Sequence, residues 1–226
     1  MENNEIWYLW SPWLKATNSP WEEVLHLGVK KRFKKNSIIL GNGQPVNDLF
    51  YLHTGEIKLS SVNSNGEEKP VWYISRGNIF GEVPYFDKAH CYSIFTSVTD
   101  SVVYLFNRQV LTKTIIPQYP DIVLNIFNTM ASKMRILASQ VNDLSLNSPK
   151  MRVYKMIYSL VSDPINNVIY SSQQELANLL SIHRVTLNRI LVDLKNSGII
   201  QEDISKKRIT LINAEELLKL IEAEQV

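Results

Sequence analysis

Six residues in one short stretch carry side chains suited to reading a nucleic acid: His183, Arg184, Val185, Thr186, Asn188 and Arg189. They offer two guanidinium forks, an amide, a hydroxyl, an imidazole and an apolar tip. A major groove displays base-edge donors, base-edge acceptors and the thymine methyl, and this set can meet all of them. Phosphates need cations or neutral donors beside that reading edge. Ser172 precedes the stretch, and the pair Lys206 and Lys207 follows it. Over residues 171–212 the cations are Arg184, Arg189, Lys195, Lys206, Lys207 and Arg208.

The surrounding elements are those needed to present such an edge. Ser148-Pro149 starts a helix over Lys150–Val161, with Val153, Ile157, Leu160 and Val161 on its buried face, and Asp163-Pro164 ends it. Val168–Tyr170 is a short strand. Ser171 or Ser172 caps the next helix, and Glu175 completes a capping box from Ser172. Leu176, Leu179 and Leu180 form its apolar face, and Ala177 leaves room for a crossing helix. Ser181-Ile182 turns the chain into a second helix, about His183–Asn196, which buries Leu187, Ile190, Leu191 and Leu194 and stops at Gly198 in a left-handed cap. Two apolar helices crossing over a short turn make a helix-turn-helix, whose second helix puts its N-terminal end in the groove. Strands at Ile199-Ile200 and Ile209–Ile212 flank the basic turn as a wing, and a helix over Ala214–Glu224 closes the domain. An ordinary small helical domain has no reason to gather its cations at the helix start and the wing.

Upstream lies a long helix, Asp121–Leu144. Val123, Phe127, Met130, Met134, Leu137, Val141 and Leu144 recur in steps of 4, 3, 4, 3, 4, 3. A seam with a period near 3.5 residues is the pattern of a two-stranded coiled coil, so these seven are the expected interface of a homodimer. Pro120 and Asp121 suit its first turn.

The preceding residues read as short strands: Val29–Phe33, Ser37–Leu40, Leu49–His53, Glu56–Val62, Val71–Ser75, Ile94–Val98 and Val102–Asn107. Asn65-Gly66 signals a two-residue type I′ hairpin. Their spacing predicts a jelly-roll barrel. Trp7, Tyr8, Leu9, Trp10 and Trp13 at the start can cap a core or bind a ligand, and capping is the preferred reading.

The segments Ile38-Ile39-Leu40 with Gly43, Phe50-Tyr51-Leu52 with Gly55-Glu56-Ile57-Lys58-Leu59, and Gly77-Asn78-Ile79-Phe80-Gly81-Glu82 resemble the cyclic-nucleotide-binding barrel of Crp/Fnr-type transcription regulators. In that family the glutamate matching Glu82 holds the ribose hydroxyls, and an arginine farther on pairs with the cyclic phosphate. Here Tyr92 stands at the arginine position, followed by Ser93. A phenol offers one neutral donor where a phosphate needs a charged fork, which argues against cyclic AMP. The segment is rich in aromatics, and the chain is similar to the branch that senses halogenated phenols in organohalide respiration. That branch has a tyrosine where Tyr92 stands and a helix lysine matching Lys133, which can pair with a phenolate. Trp72, Tyr73, Glu82, Tyr85, Phe86, Tyr92 and Lys133 are therefore the expected effector site for a small organic, aromatic ligand. In the reader, the resemblance makes Arg184 and Arg189 base or phosphate contacts and Ser172 and Thr186 phosphate contacts. Val185 replaces a glutamate that reads cytosine. It can touch a thymine methyl, so the expected target is an A·T-rich palindrome.

The chain of 226 residues has 45% apolar content, enough for two cored domains, and its net charge of +2 excludes nothing by itself. Its one cysteine, Cys91, cannot supply an iron–sulfur cluster, and the four histidines lack ligand spacing, so no metal or other cofactor is expected. No nucleophile motif appears, which argues against an enzyme. Neither a signal peptide nor an apolar run of about 18–20 residues is present, so the expected location is the cytoplasm, away from membranes. The reading is an α+β chain: an effector-sensing jelly-roll barrel over 1–116, a dimerisation helix over 117–147, and a winged helix-turn-helix DNA-binding domain over 148–226. RNA polymerase is a partner the resemblance implies. A barrel signalling module that docks a ligand or protein without specific DNA binding is the alternative.

Overall fold

The computed structural model describes residues 11–15, 18–162 and 167–224. The chain forms two compact units, one covering Trp13–Met134 and the other containing the residues from Arg135 on.

The first unit is built from strands β1 (Trp13–Leu14), β2 (Val29–Phe33), β3 (Ile38–Leu40), β4 (Asp48–Thr54), β5 (Glu56–Val62), β6 (Glu68–Ser75), β7 (Ile79–Phe80), β8 (Ser93–Ser97) and β9 (Ser101–Asn107). They form a five-stranded sheet in the order β1-β6-β5-β8-β3 and a four-stranded sheet in the order β2-β9-β4-β7. The inner faces close on a core that includes Leu49, Leu52, Ile57, Ile74, Phe80 and Phe106, all nearly inaccessible. The expected strands are present within a residue or a few at their ends. A short helix, α1 (Glu82–Asp87), and a 3₁₀ helix over Pro20–Leu27 complete the unit's first part. The 3₁₀ segment buries Trp21, whose indole donates to Asn125 Oδ1 at 3.1 Å. Residues 1–10, with Trp7, Tyr8, Leu9 and Trp10, lie outside the described residues. Trp13 does not read as a lone cap: β1 pairs parallel with β6, and its ring stacks on Tyr73 at 5.8 Å.

The β5–β6 hairpin is present, but its turn is not type I′. Of Asn65 and Gly66 only the glycine has positive φ, +82°. Asn63 donates its N–H to Glu67 O and accepts from Gly66 N–H, at 3.1 and 3.0 Å. Its side-chain oxygen also takes the N–H groups of Asn65 and Glu67, each at 2.9 Å. Those bonds favour a longer loop with one left-handed glycine over a two-residue turn.

After β9 the chain passes through α2 (Arg108–Val110), a π-helical turn over Leu111–Ile115 and α3 (Ile116–Gln118) into the long helix α4 (Pro120–Leu146). The division between the two units falls inside α4.

The second unit contains α5 (Pro149–Tyr158), a 3₁₀ turn over Ser159–Ser162, β10 (Val168–Tyr170), α6 (Gln173–Leu180), α7 (Arg184–Asn196), β11 (Ile200–Asp203), β12 (Arg208–Leu211) and α8 (Ala214–Glu224). β10, β12 and β11 form a small antiparallel sheet in that order. Val161, expected on the buried face of α5, is instead exposed, because the tighter 3₁₀ turn shifts the register of that face. Asp163 and Pro164 lie outside the described residues. α6 and α7 cross over Ser181, which takes the left-handed conformation at φ +54°. Gly198, at φ +70°, ends α7, and Ile199 N–H returns to Leu194 O at 2.9 Å.

Candidate nucleic-acid interface and effector site

The start of α7 presents an exposed face. His183 is the N-cap, and Arg184, Val185, Asn188 and Arg189 are exposed while Thr186 is half-buried. Val185 is 71% exposed, so its methyl groups are open to a partner. Leu187, Ile190, Leu191 and Leu194 point the other way into the core. That burial fixes the helix, so the outward row Arg184, Val185, Asn188 is set by helical spacing. A cleft of about 240 Å³ separates this helix start from the wing, with Gln173, Arg184, Asp203, Lys207 and Arg208 among its walls.

The wing turn is shaped by Asp203. Ser205 donates its hydroxyl to the carboxylate at 2.6 Å and Lys206 its N–H at 3.1 Å. These bonds hold the Asp203 carboxyl below the usual carboxylate range. Lys207 follows in the left-handed region at φ +49°, and both wing lysines are exposed.

Ser172 makes the expected capping box with Glu175. Its hydroxyl donates to Glu175 Oε2 at 2.8 Å and accepts from Glu175 N–H at 3.2 Å, and its own N–H goes to the same carboxylate at 3.0 Å. The capping box is complete, so both donors of Ser172 are already spent. Arg208 and Gln173 were not among the expected contacts. Arg208 stands at the first position of β12, and Gln173 at the first of α6, where free backbone N–H groups also gather.

In the first unit the centre of interest is a buried ion pair. Lys133 Nζ donates to Glu82 Oε1 at 2.8 Å and to Ile79 O at 2.9 Å. Both side chains are less than a tenth exposed. Glu82 opens α1 directly after Gly81, whose φ is +72° and where a Cβ would meet the Phe50 ring at 2.8 Å. The Gly81-Glu82 pair is thus required by backbone shape and by the lysine.

Trp72 lies in the same cross-strand row as Leu59 and Phe95. Phe95 packs on Phe80, which stacks on Phe50, at 5.3 and 5.1 Å. Tyr73, the next residue on the strand, faces the opposite side against Trp13, so Trp72 and Tyr73 do not line one cavity. The Trp72 indole N–H and the Ser97 hydroxyl are buried without a hydrogen-bond partner. Tyr85 is buried beneath Arg108, whose guanidinium sits 4.6 Å above its ring and bonds its carbonyl. Phe86 is partly exposed, and Tyr92 is 74% exposed, away from the ion pair's buried setting. Cys91 is buried, donates to Ser93 O at 3.1 Å, and burial pushes its thiol pKa up. Among the described residues no group of His, Cys, Asp and Glu could hold a metal ion, and no helix is long and apolar enough to cross a membrane.

Residues 30–116 match the cyclic nucleotide-binding domain family, and residues 151–220 match the Crp-like helix-turn-helix domain. The chain carries the two domains of a Crp/Fnr-type regulator. It is 25% identical over 197 residues to the anaerobic regulatory protein of Bacillus subtilis, covering 84% of this chain and 82% of that one. It is 22% identical over 194 residues to a CRP-like cAMP-activated global transcriptional regulator of Mycobacterium tuberculosis, covering 83% and 85% of the two chains. Among solved structures, OCPA-complexed CprK superposes with a TM-score of 0.76 at 22% identity, over 92% of this chain and 96% of that one. That likeness is one of fold.

Within this Crp/Fnr-type regulator the expected coiled-coil seam is the uncovered side of α4. Phe127, Met134 and Val141 are 64, 69 and 62% exposed, and Leu137 and Leu144 are exposed as well. Val123 and Met130 are half-buried. The helix buries a second stripe one position earlier: Ile122, Ile126, Thr129 and Lys133.

Proposed function

We propose that the regulator works as a homodimer that binds an A·T-rich palindrome under the control of a small aromatic effector without a phosphate. The observation that carries this reading is the outward row of α7, where cations and an exposed valine stand above a fully buried opposite face. Val185 meets a thymine methyl, Arg184 and Arg189 meet guanine or phosphate, and Lys206 and Lys207 follow the backbone. Two readers on a twofold axis take half-sites about 34 Å apart, one helical turn. The exposed α4 seam supports the dimer: a run of Phe, Met, Leu and Val in heptad steps is costly in water and ordinary in a coiled coil. On this reading residues 1–116 sense, 117–147 dimerise and 148–226 read, in the cytoplasm and beside RNA polymerase.

The effector preference rests on charge and donors. The family's arginine is replaced by Tyr92, and Glu82 is committed to Lys133, so a cyclic nucleotide loses both its phosphate fork and its free ribose acceptor. An ammonium has three hydrogens, and Lys133 spends two on Ile79 O and Glu82. The third suits a phenolate oxygen.

Selection from random duplexes at two salt concentrations, with phenols or cyclic nucleotides added, tests this. Enrichment of an A·T-rich palindrome that needs a phenol is expected. A palindrome selected only with a cyclic nucleotide rejects the effector assignment, and no enrichment under any condition rejects the whole reading.

A further inference from the structure

Gln173, Asn188 and Glu202 come from three different elements of the reader and meet at one point. Gln173 Nε2 lies 2.8 Å from Glu202 Oε1 and 3.2 Å from Asn188 Oδ1. Glu202 belongs to β11 in the wing, Gln173 opens α6, and Asn188 faces outward from α7.

The chemistry of the three groups fixes a direction. An ionised carboxylate only accepts hydrogen bonds. Gln173 must therefore turn its NH₂ group, not its oxygen, toward Glu202. An amide nitrogen has two hydrogens, and the second goes to Asn188. Asn188 must then present its oxygen inward. Rotating either amide by half a turn sets donor against donor or acceptor against acceptor. One carboxylate thus orders two amides, and the group left outward on α7 is the Asn188 NH₂.

We infer that Asn188 reads one base as a hydrogen-bond donor, and that Gln173 and Glu202 are the positioning residues that give it this polarity. An asparagine free to use both atoms grips adenine, accepting from N6 and donating to N7. With its oxygen held by Gln173, Asn188 suits a base whose groove edge accepts: thymine through O4 or guanine through O6. Adenine leaves its amino group unpaired, and cytosine offers only a donor. Val185, three residues earlier on the same face, adds a contact for the thymine methyl. The inference rests on the DNA reading proposed above.

The test is base selection from a random duplex pool by the full chain, with four variants run beside it. The unaltered protein is expected to prefer a keto base, thymine or guanine, at one position of each half-site by about tenfold. Asn188→Ala should flatten that position and leave the others. Glu202→Gln should let both amides rotate and admit adenine there. The decisive variant is the exchange Gln173→Glu with Glu202→Gln, which keeps the charge and the atoms but reverses the order. The carboxylate now carried by α6 then accepts from both amides, Asn188 turns its oxygen outward, and the preference should move to the amino bases. Gln173→Ala, which removes the relay, should behave like Glu202→Gln. A merely structural role cannot invert a base preference. If the exchanged protein still selects a palindrome with the original base at that position, the inference is overturned and the DNA reading stands. If the unaltered protein selects no duplex, both fall.

Discussion

Helix α4 contributes one charge to each unit, and the two buried pairs it makes are of opposite polarity. In the barrel it supplies the cation: Lys133 meets Glu82 at 2.8 Å. In the reader it supplies the anion: Asp143 meets Lys155 of α5 at 3.2 Å, with side chains 4 and 8% exposed. The surroundings differ more than the distances. Asp143 also accepts from Asn147 in the next turn, so its pair ties neighbouring segments across the Ser148-Pro149 joint. Lys133 reaches across 51 residues to α1 and also donates to the Ile79 carbonyl at 2.9 Å. A buried pair costs several kcal/mol of desolvation per ion and is weak evidence for stability by itself. The reader pair has a structural reason, the fixing of α5 on α4. The barrel pair sits in the domain proposed to sense, where the proposed function gives the lysine an effector to meet.

The largest expected effects are the losses from breaking either pair singly. Lys133→Met and Asp143→Leu should each cost about 3–5 kcal/mol, because each strands a charge in the interior. Chemical denaturation should report this, with the loss falling in the barrel for the first and in the reader for the second. The comparison sharpens when both partners are replaced. Glu82→Met with Lys133→Met, and Asp143→Leu with Lys155→Met, should each return to within about 1 kcal/mol of the parent. The reader double should keep its response to a phenol in an operator-binding assay, whereas the barrel double should lose it. A barrel double that still responds would make Lys133 a structural lysine like Lys155.

The reader was largely legible in the sequence because its signals are local. Ser172 with Glu175 caps α6, Gly198 stops α7, and the buried leucines of both helices fall at helical spacing. The barrel strands were legible from turns and alternation. The ion pairs were not, because nothing near Glu82 in the sequence announces a lysine 51 residues away. The buried stripe of α4 hid for another reason. Ile122, Ile126, Thr129 and Lys133 repeat the seam's steps one position earlier, but two of the four are polar, so hydropathy passes over them. The opposed facing of Trp72 and Tyr73 was legible all along, since neighbours on a strand face opposite sides.

Within the reader a smaller contrast separates base contacts from backbone contacts. Arg189→Ala should cost about 1–3 kcal/mol of binding and relax selection at one base if the guanidinium grips guanine. Lys207→Ala should weaken all sequences alike and lower the salt slope by about one counterion. Competition binding against single-base operator variants at two salt concentrations distinguishes the two. Uniform loss for Arg189→Ala would move that residue to the backbone class.

Ser172→Ala is the smallest of these effects and separates folding from contact. The serine hydroxyl is spent on Glu175, so its removal should cost about 1 kcal/mol of reader stability and expose the first α6 amides to faster hydrogen exchange. Part of the cap survives, because Glu175 also accepts from Ser171 Oγ at 3.3 Å and from the N–H of residue 172. At a temperature where the variant is fully folded, its affinity for the operator and its salt slope should match the parent. A drop in affinity with unchanged exchange would mean that the hydroxyl leaves Glu175 for a phosphate when DNA arrives. The capping box would then be the resting state of a contact, and Ser172 would join the lysines of the wing.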